Sequence, residues 1–285
     1  MEPQQFRTPA LYVVATPLGN LGDISLRAIE VLRAADLIAC EDTRHTRRLL
    51  DHYGIRAPLL AVHEHNEAQA AEKLLALLKE GKRVALVSDA GTPGISDPGA
   101  RAVAAVRAAG FPVIPLPGAN AAIAALSASG FADPHFLFVG FLPAKPGARR
   151  QAIEALRPIA AALVFYEAPH RIAATLADLA ELLEPQRKLV VARELTKLFE
   201  EIAHMPLSEG PAWLAADDNR GRGEFVLLVS APPPEAELPA EAKRVLRLLM
   251  AELPLKQAVG LAAEISGAPK NALYELALAW KGEQL

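Results

Sequence analysis

An alternation constrains this chain more than any other feature. Short β-branched and aliphatic runs recur along it, each followed by a longer Ala/Leu-rich stretch with helical spacing. "LYVVAT" (11 to 16) and "DLIAC" (36 to 40) predict strands, with a helix over 23–35 between them. A helix over 67–81 closed by Gly81, the strand "RVALVSD", a helix over 98–110 closed by Gly110 and the strand "PVIPLPG" continue the series. Strand, helix and strand in this order favour parallel βαβ units in an α/β sheet. The second half repeats the mode, with strand patterns at 135–142, 161–168, 188–196 and 223–231 and a helix over 171–183. The expectation is an α/β protein of two sheet domains, 8–118 and 119–231. Residues 232–285 begin with the proline-stiffened "PPPEAELP" and continue in helical pattern without strand signal, as a small helical appendage.

Composition narrows the class. With 285 residues, 52% hydrophobic and 22% charged, the chain can bury a core in each domain. The N-terminus lacks the apolar core of a signal peptide, and no apolar run approaches the ~20 residues that span a bilayer. A cytoplasmic location without membrane partners is expected. The single cysteine, Cys40, cannot close an internal disulfide and reads as a small core residue at a strand end. A net charge of −3 gives no global field toward nucleic acid, so such contacts must come from local patches.

Three Gly/Pro-rich loops follow predicted strands: "ATPLGNLGD" (15 to 23), "SDAGTPGISDPG" (88 to 99) and "LPGANAA" (116 to 122). In open α/β sheets ligands bind at the carboxyl ends of strands. Gly91 and Gly94 permit close backbone approach while Pro93 and Pro98 stiffen the path, making a rim of N–H groups suited to a small anionic or zwitterionic ligand. Taken alone, the 88–99 loop is also a tight βα connection in which Ser96 or Asp97 caps a helix with Pro98 at its first position. Polar clusters interrupt other apolar segments: "CEDTRHTRRLL" (40 to 50), "HEHN" (63 to 66), "YEAPHR" (166 to 171) and "ARELTK" (192 to 197). Singly they suit solvated strand ends and helix caps. Together they suit a cleft between two sheets.

Templates work here mainly by exclusion. H-E-x-x-H, C-x-x-C, G-x-S-x-G and G-K-S/T patterns are all missing, and "TPLGNLG" does not match G-x-G-x-x-G. His63, Glu64, His65 and Glu67 have no defined metal-ligand spacing, so no metal is expected. What remains is a group transfer that depends on holding two partners in place.

Long, collinear blocks carry a resemblance: "VATPLGNLGDISLRAIEVLRAADLIACEDTRHTRRLL", "VSDAGTPGISDPG", "FVGFLP", "FYEAPHRI", "ARELTK" and, in the tail, "KQAVGLAAEISGAPKNALYELAL". They resemble the ribosomal RNA small subunit methyltransferase I family of the tetrapyrrole methylase superfamily. The resemblance implies two α/β/α domains with S-adenosyl-L-methionine in the cleft between them, usually in a homodimer. It implies methyl transfer to the ribose 2′-hydroxyl of cytidine 1402 of 16S rRNA in the small ribosomal subunit. On this resemblance Pro17, Leu18, Ser88, Asp89, Ala90, Gly91, Ile95, Gly118 and Ala119 contact the cofactor from the first domain. Phe165, Tyr166, Ala192, Gly223, Glu224 and Phe225 face it from the second. Asn120 stands where the family more often has Ser.

A ribose hydroxyl is a poor acid, so alignment with the methyl and a nearby base should both help. Asp89, Asp42 and Glu41 are the candidates for that base; Arg44, Arg48, Lys145, His170 and Arg171 are expected to hold the substrate. Arg47, Arg149, Arg150, Lys256 and Lys270 add separate basic spots with few aromatics among them, a pattern that suits a shaped ribosomal particle better than naked RNA. Three alternatives stay open: a tetrapyrrole or diphthine acceptor within the superfamily, a non-catalytic ribosome-assembly factor, and a nucleotide-binding regulatory module.

Overall fold

The computed structural model describes residues 6–63, 66–233 and 238–282. Its first half alternates strictly: β1 (Ala10–Val14), α1 (Leu26–Ala34), β2 (Leu37–Cys40), α2 (Thr43–His52), β3 (Leu59–Ala61), α3 (Glu67–Lys79), β4 (Arg83–Leu86), α4 (Ala100–Ala108) and β5 (Val113–Leu116). The strands form one parallel sheet in the order β3-β2-β4-β1-β5. Period-two alternation sends Tyr12, Val14, Ile38 and Cys40 to one face, against Leu32, Leu49 and Leu50. Leu11, Ala39, Val84 and Leu86 go to the other, against Leu74, Leu78 and Val106. Burying each such Leu, Ile or Val stabilises the fold by about 1.5–3 kcal/mol before chain entropy is counted.

The second half contains α5 (Ala121–Ala128), β6 (Phe136–Phe141), α6 (Pro146–Leu156), β7 (Ala162–Glu167), α7 (Ile172–Leu182), β8 (Lys188–Arg193), β9 (Glu201–Pro206), α8 (Gly210–Ala215) and β10 (Phe225–Val229). Its sheet order is β6-β7-β10-β8-β9. Only β6 and β7 pair in parallel; the other three pairs are antiparallel. The expected repeat of the parallel mode is thus corrected. β8 returns into β9 through 194–200 with no crossing helix, and a direct return of this kind is antiparallel. Ala122 and Ala125 of α5 pack on Val164, Val190, Ala192, Val226 and Leu228. Phe165, Leu189, Val191 and Leu227 face the opposite way, among Ile153, Leu176 and Leu179. Arg149, buried, reaches Asp178 at 2.6 Å, and Arg150 bridges Asp178 and Glu181, so this basic spot clamps α6 to α7.

Compact units run from Met1 to Pro232 and from Pro233 onward. The second consists of α9 (Ala240–Glu252), α10 (Leu255–Ser266) and α11 (Lys270–Gly282) around Ala242, Leu246, Val259, Ala262, Leu273 and Ala277. Arg247 stacks 4.7 Å over the Trp280 ring. Among the described residues no helix is long and apolar enough to cross a membrane.

Candidate functional site

The loops after β1, β4 and β5 leave the same carboxyl edge of the first sheet and are laced together. Thr16 and Gly91 exchange both main-chain hydrogen bonds at 2.9 Å, which Gly91 permits by adopting φ +78°. Thr16 Oγ1 donates to the Ser88 carbonyl, and Thr92 Oγ1 to the Ala119 carbonyl, both at 2.9 Å. The cap of α4 departs from expectation: its N-cap is Gly99, not Ser96 or Asp97. Buried Glu67 of α3 serves instead, its Oε1 accepting from the amides of Gly99 (3.0 Å), Arg101 (2.8 Å) and Ala102 (3.4 Å). Glu67 is therefore committed, leaving the side chains of Ser96 and Asp97 on a cavity wall.

That cavity, of about 290 Å³, lies between the laced loops and the second sheet. Leu18, Ala90, Gly91 and Ile95 line it from the first half; Tyr166, Ala192, Glu224 and Phe225 line it from the second. The other residues read as cofactor contacts are placed differently. Pro17 is buried, and the Ser88 hydroxyl, also buried, lies 3.3 and 3.2 Å from the carbonyls of Ala90 and Gly91. Gly118 and Ala119 sit on the loop after β5, where Ala119 presents its carbonyl to Thr92. Phe165 directs its ring to the opposite face of the sheet. Gly223, at φ +94°, lies against Glu194: a Cβ there would come within 2.4 Å of its Cγ.

The acids form a hydrogen-bonded edge beside the cavity. Asp89 Oδ1 accepts from the Asp42 amide at 3.0 Å, and Asp42 caps α2 by accepting from the Arg44 amide at 2.8 Å. The Arg44 amide, above all, holds the Asp42 carboxyl below its usual pKa. Burial, reinforced by Asp89, Asp97 and Asp42, pushes Glu41 up. Burial likewise pushes Asp97 up, with a Ser88 hydrogen bond opposing it and Asp89 adding to it. Of these four carboxylates only Asp97 lines the cavity; Glu41, Asp42 and Asp89 do not.

Among the expected substrate contacts, Arg44 is 90% exposed along its side chain, and Arg48, Lys145 and His170 are exposed as well. Arg171 is different. It pairs with the buried Glu167 at 3.1 Å and donates to the Leu142 carbonyl, while Glu167 also accepts from Thr175 Oγ1 at 2.6 Å. Its charge is spent inside the fold. Glu64 and His65 lie outside the described residues, and among the described ones no group of three His, Cys, Asp or Glu could hold a metal ion.

Sequence reasoning did not single out Thr92 or Lys197 and read Ser96 and Asp97 as caps and Asn120 as a replacement for the family's Ser; all five lie on the cavity wall. Asn120 caps α5, accepting from the Ile123 amide at 3.1 Å. The signal for Lys197 was present in "ARELTK", but its role depends on a backbone turn that no local pattern announces.

The tetrapyrrole (corrin/porphyrin) methylase family matches residues 10–211, and the RsmI C-terminal HTH domain matches 236–281. The chain is similar to ribosomal RNA small subunit methyltransferase I of Escherichia coli O157:H7, 55% identical over 95% of this chain and 96% of that one. It is similar also to the protein of that name from Pseudomonas aeruginosa, 52% identical over 96% of this chain and 98% of that one. A solved Thermus thermophilus uroporphyrin-III C-methyltransferase, complexed with S-adenyl homocysteine, shares the fold with a TM-score of 0.54 at 18% identity, over 78% of this chain and 97% of that one. With relatives this similar along nearly their whole length, and a methylase core followed by the family's own C-terminal domain, the chain belongs to the ribosomal RNA small subunit methyltransferase I family of the tetrapyrrole methylases.

Proposed function

We propose that the protein is an S-adenosylmethionine-dependent methyltransferase acting on the ribose 2′-hydroxyl of cytidine 1402 in 16S rRNA of the small ribosomal subunit. The observation that carries this reading is a cavity walled by both halves of a chain whose relatives bear that enzyme's name. The cavity suits the cofactor. Leu18, Ile95, Ala192 and Phe225 offer apolar surface to an adenosine, and the carboxyl of Asp97 offers negative charge to a positively charged group of the cofactor. When bound, the cofactor supplies a methyl group already activated by positive sulfur.

The protein's part is to hold and exclude. Laced main chain at Thr16, Gly91, Thr92 and Ala119 fixes one wall, so little reorganisation accompanies binding. Asp89 and Asp42 tie the 88–99 loop to the start of α2, and we assign them to shaping that wall, with Glu41 beside them. Exposed Arg48, Lys145 and His170, and Arg44 from its 3.7 Å pair with Asp42, are the groups placed to meet RNA phosphates, whereas Arg171 stays with Glu167. The reading includes domains 8–118, 119–231 and 232–285, and a cytoplasmic site of action, where ribosomal subunits are found. It also includes a homodimer, supported by the family resemblance and by large exposed apolar side chains such as Leu26 and Phe136.

Incubation with methyl-labelled S-adenosylmethionine and small subunits lacking this ribose methyl tests the reading. Label on the cytidine 2′-oxygen, mapped by nuclease digestion and mass spectrometry, is the expected result. Cofactor binding without label there would reject the acceptor.

A further inference from the structure

Three described non-glycine residues have left-handed backbone, and all border the cavity. Ser96 (φ +64°) lines it, while Glu194 (φ +52°) and Thr196 (φ +66°) flank Leu195 and Lys197, which also line it. Such conformations are unfavourable for residues with a Cβ and persist where the surroundings over-determine them. What is over-determined here is the place of one ammonium. Lys197 Nζ donates to Glu194 Oε1 at 2.8 Å and to Glu224 Oε2 at 2.9 Å. Glu194 Oε1 also accepts from the Glu224 amide at 2.9 Å, and the missing side chain of Gly223 leaves room for it. The methylene stem of Lys197 crosses Gly19, where a Cβ would lie 2.3 Å from its Cγ, so the same residue spans from the second sheet to the first loop. An ammonium carries three N–H donors. Two are used, and the third has no partner among the described residues.

We propose that Lys197 and Glu224 handle the acceptor hydroxyl: the third N–H of Lys197 donates to the acceptor oxygen, and the free carboxylate oxygen of Glu224 takes its proton. This rests on the methyl-transfer reading above. The acceptor oxygen bonds to the methyl carbon as the sulfur–carbon bond breaks, the bonding pair remains on sulfur, and the hydroxyl proton passes to Glu224 and then to water. Lys197 stays charged throughout. Burial alone would lower its pKa, but the hydrogen bonds to Glu194 and Glu224 outweigh burial and hold it above the usual lysine value. With two carboxylates around one ammonium the group carries a net negative charge, so it does not repel a sulfonium. Glu224 is 77% exposed along its side chain, which gives the proton a route to solvent.

The test uses the full chain with Lys197→Met and Glu224→Gln, read two ways. Calorimetry with S-adenosylmethionine reports the cofactor site without turnover, and single-turnover labelling of unmethylated small subunits reports transfer. Both variants are expected to bind cofactor within about fivefold of wild type and to transfer methyl at least about 100-fold more slowly. Either variant transferring within threefold of wild type overturns the proposal. Should Lys197→Met lose cofactor binding through misfolding, the exposed Glu224→Gln decides alone. Wild-type protein that leaves the 2′-oxygen unlabelled overturns the underlying reading instead, before any variant is made.

Discussion

Asp97 lines the cavity with a carboxyl whose pKa burial has raised, and the sign of that shift sets two consequences. The folded state binds the proton more tightly than the unfolded chain, so this group makes stability fall as pH rises from the ordinary carboxylate range through its folded pKa. Asp97→Asn removes the charge and with it that decline. The variant should melt higher than wild type at neutral pH without ligand, yet bind S-adenosylmethionine about tenfold more weakly, having lost one charge-assisted contact. Thermal melts across pH with parallel calorimetry check both, and a variant that binds as well as wild type would take Asp97 out of the site. Glu67 makes the complementary case, because it never touches the cavity. Its Ala variant strands the buried amides at the start of α4 and should cost about 2 kcal/mol in denaturant unfolding, while Glu67→Gln keeps the accepting oxygen and should lose far less. Equal losses in the two variants would show that the cap is not what matters. Residue type was legible at both positions, but role was not. Nothing near Glu67 in sequence reveals that its partners lie more than thirty residues away, and Arg171 looked like a phosphate ligand until Glu167 was seen to hold it.

At the scale of elements, legibility followed burial. The strands with continuous apolar runs, such as "FVLLV" of β10 and "RVAL" of β4, were visible because both of their faces are covered. β9, "EIAHMP", escaped notice because it is an edge strand with partly exposed residues, and an edge strand does not need an apolar run. Missing it also hid the β8-to-β9 return, and with it the antiparallel character of the second sheet. The three laced loops, by contrast, announced themselves through glycine and proline, residues whose backbone chemistry is readable without tertiary context. The helical tail obeys the same local logic: α10 ends at Gly267 in the left-handed conformation, φ +67°. Gly267→Ala should therefore cost about 1 kcal/mol in the stability of the α9 to α11 unit, measurable by hydrogen exchange on its helices. Unchanged protection there would mean that the turn tolerates a side chain.

For the molecule as a whole, the decisive feature is that one cavity draws its walls from two sheets with separate cores. Hydrophobic packing stabilises each sheet with its own helices, and the halves of the Met1–Pro232 unit meet at the site through contacts such as the methylene stem of Lys197 over Gly19 and Ser96 Oγ against Gly140. A ligand seated in that cavity touches both walls and must stabilise them together. At a hundredfold excess over its dissociation constant, a ligand specific for the folded state adds about 2.7 kcal/mol. For a unit of this size that corresponds to an upward shift of about 5–10 °C in melting temperature. Scanning calorimetry with and without S-adenosylmethionine should show the transition of the Met1–Pro232 unit moving up as one peak. If the ligand engaged only the loops of the first sheet, part of that transition would rise while the rest stayed in place, and the peak would split. A split peak would remove Tyr166, Ala192 and Phe225 from the cofactor site at once, since all three reach the cavity from the second half of the chain.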